Sequence, residues 1–187
     1  MKFPDLPGER IDLVEINASC IDDLHEYSSM PVFFEFMELI ESRSREETET
    51  YYQKLVRRSQ APTGHYWMIR HKGDDKVIGT FGVLDIDTRK GSCEIGYGVS
   101  PQYWGKGYFK EVLRMVLEYL FDEAGFHRVW AKTQDDNAAS INSLKSLGFK
   151  HEGTLRDFYL SEKNGVRNDA VVLAILRPEF SAGKAYK

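Results

Sequence analysis

Segments that alternate apolar and polar positions, or that are rich in β-forming residues, predict the strands of this chain. Residues 10–16 place Ile11 and Leu13 on one side and polar residues on the other, the period of a half-buried strand. Three β-rich segments then follow one another after Pro62, and "KGDD" between two of them is typical of a hairpin turn. Seven strands are predicted in total: residues 10–16, 65–71, 76–87, 93–99, 127–133, 150–160 and 166–176.

Helical periodicity marks three further segments. Residues 44–59 begin with Ser44 three residues before Glu47, which is the spacing of a capping box. Residues 107–125 place valines and leucines on one face, and a glycine ends the pattern. Residues 137–149 form a shorter helix that ends at Gly148. The helices therefore alternate with the predicted strands.

The order of these elements predicts a single mixed domain. It reads strand, helices, three strands, helix, strand, helix, two strands, with neither a linker nor an internal repeat. This order favours an α/β or α+β domain built on one central sheet. We assign residues 1–180 to that domain. Residues 181–187 are assigned to a C-terminal tail that has little to pack against.

Composition narrows the functional classes. Of the 187 residues, 42% are hydrophobic and 29% charged, as in a soluble globular protein, and the net charge is −4. That charge argues against a nucleic-acid surface, and no apolar run is long enough to cross a membrane. The two cysteines form no disulfide framework, which favours a cytoplasmic protein. Histidine spacing predicts no metal site.

The segment "VSPQYWGKGY", residues 99–108, is a turn between a predicted strand and a predicted helix. Gly105 and Gly107 allow the backbone to approach a ligand closely, and the first amides of a helix lack internal partners. Such a turn binds phosphate groups, and Lys106 adds a positive charge. It does not match the dinucleotide fingerprint, the Walker loop or the nucleophile elbow.

Two motifs in sequence order resemble the GNAT N-acetyltransferases. "QYWGKG", residues 102–107, matches the Q/R-x-x-G-x-G/A signature, and Asn137, Ala139, Ser140 and "LGF" at 147–149 match a downstream helix of that family. The segments 93–108 and 152–169 are similar to the RimJ/RimL branch, which acetylates ribosomal-protein N-termini. The resemblance implies a mixed, mostly antiparallel, seven-stranded sheet that is splayed between its fourth and fifth strands and flanked by helices. Acetyl-CoA would lie in the cleft.

The resemblance also implies which residues hold the cofactor. Amides of the glycine turn would bind the pyrophosphate, and the edge of the preceding strand would pair with the pantetheine arm. Pro101 cannot donate a ladder bond, so the sheet is expected to part near it. The predicted cofactor-binding residues are Tyr97, Gly98, Val99, Gln102, Tyr103, Trp104, Gly105, Lys106, Gly107, Tyr108, Phe109, Asn137 and Ser140.

Acetyl transfer to an amine needs a base, an oxyanion donor and an acid. Glu94 could take the amine proton through water, or it could bind the acceptor ammonium or a neighbouring arginine. The amide of Val99 or its neighbour would hold the oxyanion. Many family members carry a tyrosine in the fourth helix as the acid, but Leu144 stands there in this chain. Ser140 and Tyr159 are the remaining candidates for the acid.

The acceptor pocket is expected to use the N-terminal helices. Phe33 and Phe34 could form an apolar wall for the substrate together with Glu94, although such phenylalanines more often belong to a core. Phe36 and Met37 could extend this wall. The acidic residues Glu35, Glu38 and Glu41 could attract a cationic acceptor, although a charge run is usually a solvated face.

The predicted function is transfer of an acetyl group from acetyl-CoA to a primary amine, such as a protein N-terminal α-amine of the ribosomal-protein type. Two alternatives stay open at this point. One is acetylation of a small amine (a polyamine, an aminoglycoside or an amino acid), and the other is a non-catalytic module that binds acyl-CoA. No metal is predicted as cofactor, and no nucleic acid or membrane as partner. A homodimer is compatible with this interpretation.

Overall fold

The computed structural model describes residues 3–36, 44–161 and 165–184, and in them eight strands form one mixed sheet. The strand order is β1-β2-β3-β4-β5-β6-β8-β7. All neighbours are antiparallel except β5 and β6, which are parallel. The strands are β1 (Leu6–Pro7), β2 (Ile11–Glu15), β3 (His65–His71), β4 (Lys76–Asp87), β5 (Ser92–Val99), β6 (Arg128–Gln134), β7 (Lys150–Leu160) and β8 (Arg167–Leu176).

This architecture confirms the predicted mixed domain. The seven predicted strands correspond to β2–β8, and the additional strand is the two-residue β1. Two residues are too few to show an alternation, so the sequence pattern did not reveal it.

The helices are α1 (Ile21–Ser28), α2 (Arg45–Gln60), α3 (Tyr108–Glu118), α4 (Ala138–Ser146) and α5 (Arg177–Lys184). The capping box of α2 is present, because Ser44 and Glu47 each accept a hydrogen bond from the other's backbone amide. None of the helices in the described part of the chain is long and apolar enough to cross a membrane.

Helices α3 and α5 differ from the sequence prediction, which gives residues 107–125 as one helix and no helix after the last strand. Regular α-helix in α3 stops at Glu118, and a wider turn over Tyr119–Glu123 follows, in which the Ala124 amide donates to the Tyr119 carbonyl at 2.8 Å. Helix α5 continues to Lys184, so the backbone is helical beyond residue 180, where the sequence predicts a tail.

Each face of the sheet is covered by a separate apolar core. Helices α3 and α4 cover one face, where Val112, Val116 and Leu144 pack with Ile95 and Val129. Helices α1 and α2 cover the other face through a second cluster. Because side chains alternate along a strand, β5 presents Cys93 and Ile95 to the first core and Glu94 to the opposite face.

Strands β5 and β6 separate after a short contact. Only Ser92–Glu94 pair with Arg128–Trp130, although β5 continues to Val99 and β6 to Gln134. The predicted splay between the fourth and fifth predicted strands is therefore confirmed. Its expected position near Pro101 is wrong, since pairing ends at Glu94 and Pro101 lies beyond the strand in a short 3₁₀ turn. The missing amide of Pro101 is not what opens the sheet.

Candidate active site

The free edge of β5 faces the gap that this separation leaves. The Ser100 amide donates to the Ile78 carbonyl on β4 at 2.7 Å. Backbone groups of an antiparallel strand alternate in direction, so those of Tyr97 and Val99 point away from β4 and into the gap. The Val99 carbonyl accepts a hydrogen bond from the Trp104 indole at 2.7 Å. The amides of Tyr97 and Val99 are thus directed to where a pantetheine chain or an oxyanion is predicted.

The turn after β5 presents backbone amides without side-chain caps. Gly105 and Gly107 have φ of +71° and +81°, which L-residues rarely adopt. A Cβ atom at Gly105 would meet no atom within 4 Å, so the surface beside it is open. Gly107 is the N-cap of α3 and offers no side-chain oxygen to the first amides of the helix. Amides exposed in this way can bind phosphate oxygens.

Arg10 stabilises this turn from the start of the sheet. Its Nη1 donates to the Lys106 carbonyl at 3.1 Å, and its Nε forms an ion pair with Glu111 on α3 at 2.7 Å. Its guanidinium also lies 4.5 Å from the ring centroid of Tyr108. Arg10 could not be recognised from the sequence, because 96 residues separate it from Lys106 and no motif links the two.

The side chains of two predicted cofactor residues, Tyr103 and Tyr108, are engaged within the protein. The Tyr103 hydroxyl donates to Asp74 at 2.6 Å, and the Tyr108 hydroxyl lies 2.8 Å from Nε2 of His71. Burial, followed by the bond to Asp74, raises the pKa of Tyr103 to about 12. These side chains hold the turn against the β3–β4 hairpin, so a contact of these two residues with the cofactor would fall to their backbone.

Glu94 lies at the point where the strands separate, and it is buried, with 7% of its surface exposed. Its carboxylate is paired with Lys132 of β6, at 2.9 Å from Oε1 and 3.1 Å from Oε2. Burial raises the pKa of Glu94 above its usual value, Lys132 opposes the shift, and the nearby Asp85 adds to it. The partner expected from the sequence is a neighbouring arginine or a substrate ammonium, and the partner in the structure is a lysine.

Ser140 joins α4 to β5 across the gap. Its hydroxyl lies 2.7 Å from the hydroxyl of Tyr97, whose ring packs on Phe109 with centroids 4.1 Å apart. Burial raises the pKa of Tyr97 far above its usual range, so this phenol stays protonated. Asn137 caps α4, because its Oδ1 accepts from the Ser140 amide at 3.1 Å.

Three other predicted residues lie elsewhere. Tyr159 is near the end of β7, paired with Asn168 and packed against Phe158. Phe33 and Phe34 are only 4% and 7% exposed and pack in the second core, so the structure gives them a packing role and no open surface for a substrate. Their predicted contact with the acceptor is therefore not supported. Met37, Glu38 and Glu41 lie outside the described residues.

Two neighbouring pockets open on the face of the sheet that carries Glu94. The larger, about 410 Å³, includes Glu94, Asp85, Lys132 and Arg58. The smaller, about 120 Å³, lies beside Gly96–Gly98 and below Tyr51, Lys54 and Arg58 of α2. Arg58 lines both pockets. The basic residues of this site, Lys54, Arg58 and Lys132, were not singled out from the sequence because they carry no motif.

A parted sheet with an uncapped helix N-terminus at its mouth, and a buried carboxylate at the point of separation, fits an acyltransferase that uses a phosphate-bearing acyl carrier. An acetyltransferase (GNAT) domain matches residues 10–150. The chain belongs to the GNAT family, and it is an acetyl-CoA-dependent N-acetyltransferase.

Sequence and fold similarity to known proteins support the assignment to this family. The chain is 30% identical to the uncharacterized N-acetyltransferase p20 of Bacillus licheniformis, over 92% of this chain and 96% of that protein. It is also 30% identical to the [ribosomal protein uS5]-alanine N-acetyltransferase of Escherichia coli, over 50% of this chain and 47% of that enzyme. Its fold resembles spermidine N-acetyltransferase from Vibrio cholerae in complex with CoA and spermine, with a TM-score of 0.77, 18% identity, and coverage of 92% and 98%.

Proposed function

We propose that the protein acetylates the primary α-amine of a protein N-terminus, and that the carboxylate of Glu94 binds this amine and receives its proton. The observation that carries this proposal is that Glu94, at the separation of β5 and β6, already binds an ammonium group, that of Lys132. Similarity to an enzyme named for a ribosomal-protein alanine supports a protein N-terminus as acceptor. The fold neighbour named for spermidine makes a polyamine the second candidate.

The cofactor would occupy the gap between β5 and β6, where acetyl-CoA supplies the acetyl thioester. The amides from Gly105 to Phe109 would hold the pyrophosphate, with Lys106 adding a positive charge. The amides of Tyr97 and Val99 would pair with the pantetheine arm, and one of them would donate to the oxyanion. The open surface at Gly105 fits such a group, since no atom lies where a side chain would project.

Glu94 would act as the general base. Burial brings its pKa closer to neutrality, and a base is most effective when its pKa lies near the working pH. The acceptor ammonium would displace or share the contact of Lys132 and pass its proton to a Glu94 oxygen, directly or through water. Ser140 would give a proton to the departing sulfur, and Tyr159 remains the alternative donor.

Replacement of Glu94 tests the proposal. Glu94→Gln keeps the size of the side chain but cannot accept a proton, so kcat should fall by about 100-fold or more. The dissociation constant for acetyl-CoA, measured by calorimetry, should stay unchanged. The loss should shrink at high pH, where the acceptor amine is already neutral.

A matched control is Glu152→Gln, which also removes an ion pair to β6, in this case with Arg128, but lies outside both pockets. It should leave kcat unchanged. If Glu94→Gln changed only the KM for the acceptor, Glu94 would bind the substrate and not act as the base.

A further inference from the structure

Two basic side chains on α2 face the site without a carboxylate partner in the described part of the chain. Lys54 and Arg58 are four residues apart, so they lie on the same face of the helix, and both line the pocket beside Gly96–Gly98. The polar contact of Arg58 is with the Tyr66 hydroxyl, at 3.3 Å from Nη1. Like charges at this spacing repel each other, and an anion bound between them would relieve that repulsion.

The neighbouring pocket combines two carboxylates with two cations, Arg58 and Lys132. Glu94 and Asp85 line it together with Lys132, whose ammonium is already paired with Glu94. Because Arg58 lines both pockets, the carboxylate proposed to receive the acceptor ammonium adjoins the cations that would receive an anion. This arrangement matches a molecule that carries both charges close together.

We infer that the acceptor carries a negatively charged group beside its primary amine, and that Arg58, assisted by Lys54, binds that group. This inference rests on the proposed function, since it assumes that the amine reacts at Glu94. A planar guanidinium suits a carboxylate because it can donate two parallel hydrogen bonds. A polyamine, which has only positive charges, would be repelled by Lys54, Arg58 and Lys132.

The anion could come from two sources that share this chemistry. One is the α-carboxylate of a free amino acid, and the other is an acidic side chain next to the N-terminus of a peptide. Matched acceptors separate them: an amino acid against its amide, and a C-terminally amidated peptide with glutamate at its second position against the same peptide with glutamine. Spermidine completes the panel.

The expected result is that the anionic member of at least one pair has a kcat/KM roughly tenfold or more above its neutral partner. The pair that shows this preference identifies the source. Equal values within both pairs would overturn the inference and leave the proposed acetyl transfer to an N-terminal α-amine intact. A preference for spermidine would overturn the inference and make a polyamine, the second candidate, the acceptor. If no amine were acetylated, the proposed function would fail, and the inference with it.

Substitution of Arg58 then tests the residue. Arg58→Gln should raise the KM of the anionic acceptor roughly tenfold, leave that of the neutral one unchanged and keep kcat, because the guanidinium binds without reacting. Arg58→Lys should restore part of the affinity. The control is Arg57→Gln, which removes an equal charge from the same helix end but lines neither pocket. If Arg58→Gln instead raised the dissociation constant of acetyl-CoA, Arg58 would be a phosphate ligand of the cofactor and the inference would be wrong.

Discussion

The hydroxyl groups of Tyr97 on β5 and Ser140 on α4 lie 2.7 Å apart and form a hydrogen bond. The Tyr97 phenol packs against the rings of Phe81 and Phe109, and burial raises its pKa, so it keeps its proton. Either hydroxyl can donate to the other, and when Tyr97 is the donor the hydrogen of Ser140 is free to point elsewhere. If Ser140 is the acid, Tyr97 acts as a positioning residue that orients it.

A double-mutant cycle examines this pair. Ser140→Ala should lower kcat with little change in the acceptor KM, and Tyr97→Phe should lower kcat less and keep acetyl-CoA affinity. The double variant should be no slower than Ser140→Ala alone, because Tyr97 acts through Ser140. Tyr159→Phe should be nearly silent. Full activity of Ser140→Ala together with a loss in Tyr159→Phe would assign the acid to Tyr159.

At the scale of elements, the turn that opens α3 depends on a residue at the far edge of the sheet. Arg10 connects the Lys106 carbonyl, on the turn, to Glu111 in the first turn of the helix. The two glycines give the turn its shape but also leave it with more freedom in the unfolded chain. The hydrogen bond and the ion pair of Arg10 therefore restrict the conformation of the turn, which the two glycines alone leave free to vary.

The substitution Arg10→Lys tests whether the shape of the guanidinium, and not only its positive charge, supports acetyl-CoA binding. Arg10→Lys keeps the positive charge but loses the branched group that reaches both partners, so the dissociation constant for acetyl-CoA should rise by roughly fivefold to tenfold. Arg70→Lys is the control, since that arginine pairs with Asp75 in an exposed hairpin on β3. An Arg10→Lys variant with unchanged affinity would show that Arg10 does not support the cofactor turn.

Several elements of this molecule could be predicted because the residues that indicate them lie close together in the sequence. The capping box of α2, the glycine turn and the Asn137 cap each lie within a few residues, and the structure contains all three. The partners of the site residues were not predictable in the same way. Lys132 is 38 residues from Glu94, and Arg10 is 101 residues from Glu111. Periodicity assigns a residue to a face, but only the assembled sheet decides which residues meet there.

For the whole molecule, stability should depend on pH through one partly buried histidine on β3. His65 stacks on Phe3 with ring centroids 4.7 Å apart, and its buried Nε2 has no hydrogen-bond partner among the residues that the structure describes. Burial lowers the pKa of His65 from 6.5 to about 4, whereas nearby Asp5 has the opposite, smaller effect. The unfolded chain therefore binds a proton between pH 6.5 and 4 that the folded protein does not.

The free energy of unfolding should accordingly decrease as the pH falls through 6.5, and this loss should be complete near pH 4. Denaturant titrations at pH 7, 6, 5 and 4 measure it. His65→Gln removes the titrating group, so its stability should vary less over this range, even if the variant is less stable at pH 7. His151→Gln, on exposed β7, is the control. Parallel curves for wild type and His65→Gln would mean that other groups cause the acid sensitivity.

The short contact between β5 and β6 has a mechanical consequence. Three residue pairs, Ser92–Glu94 with Arg128–Trp130, are the whole of the strand pairing between the half-sheet β1–β5 and the half-sheet β6–β8. Strand pairing therefore resists a rotation between the halves only beside Glu94, and the packing of both halves in one apolar core supplies the rest of the resistance. The width of the gap is thus controlled by side-chain packing as well as by strand pairing, whereas the shape of each half-sheet is held by its antiparallel ladders.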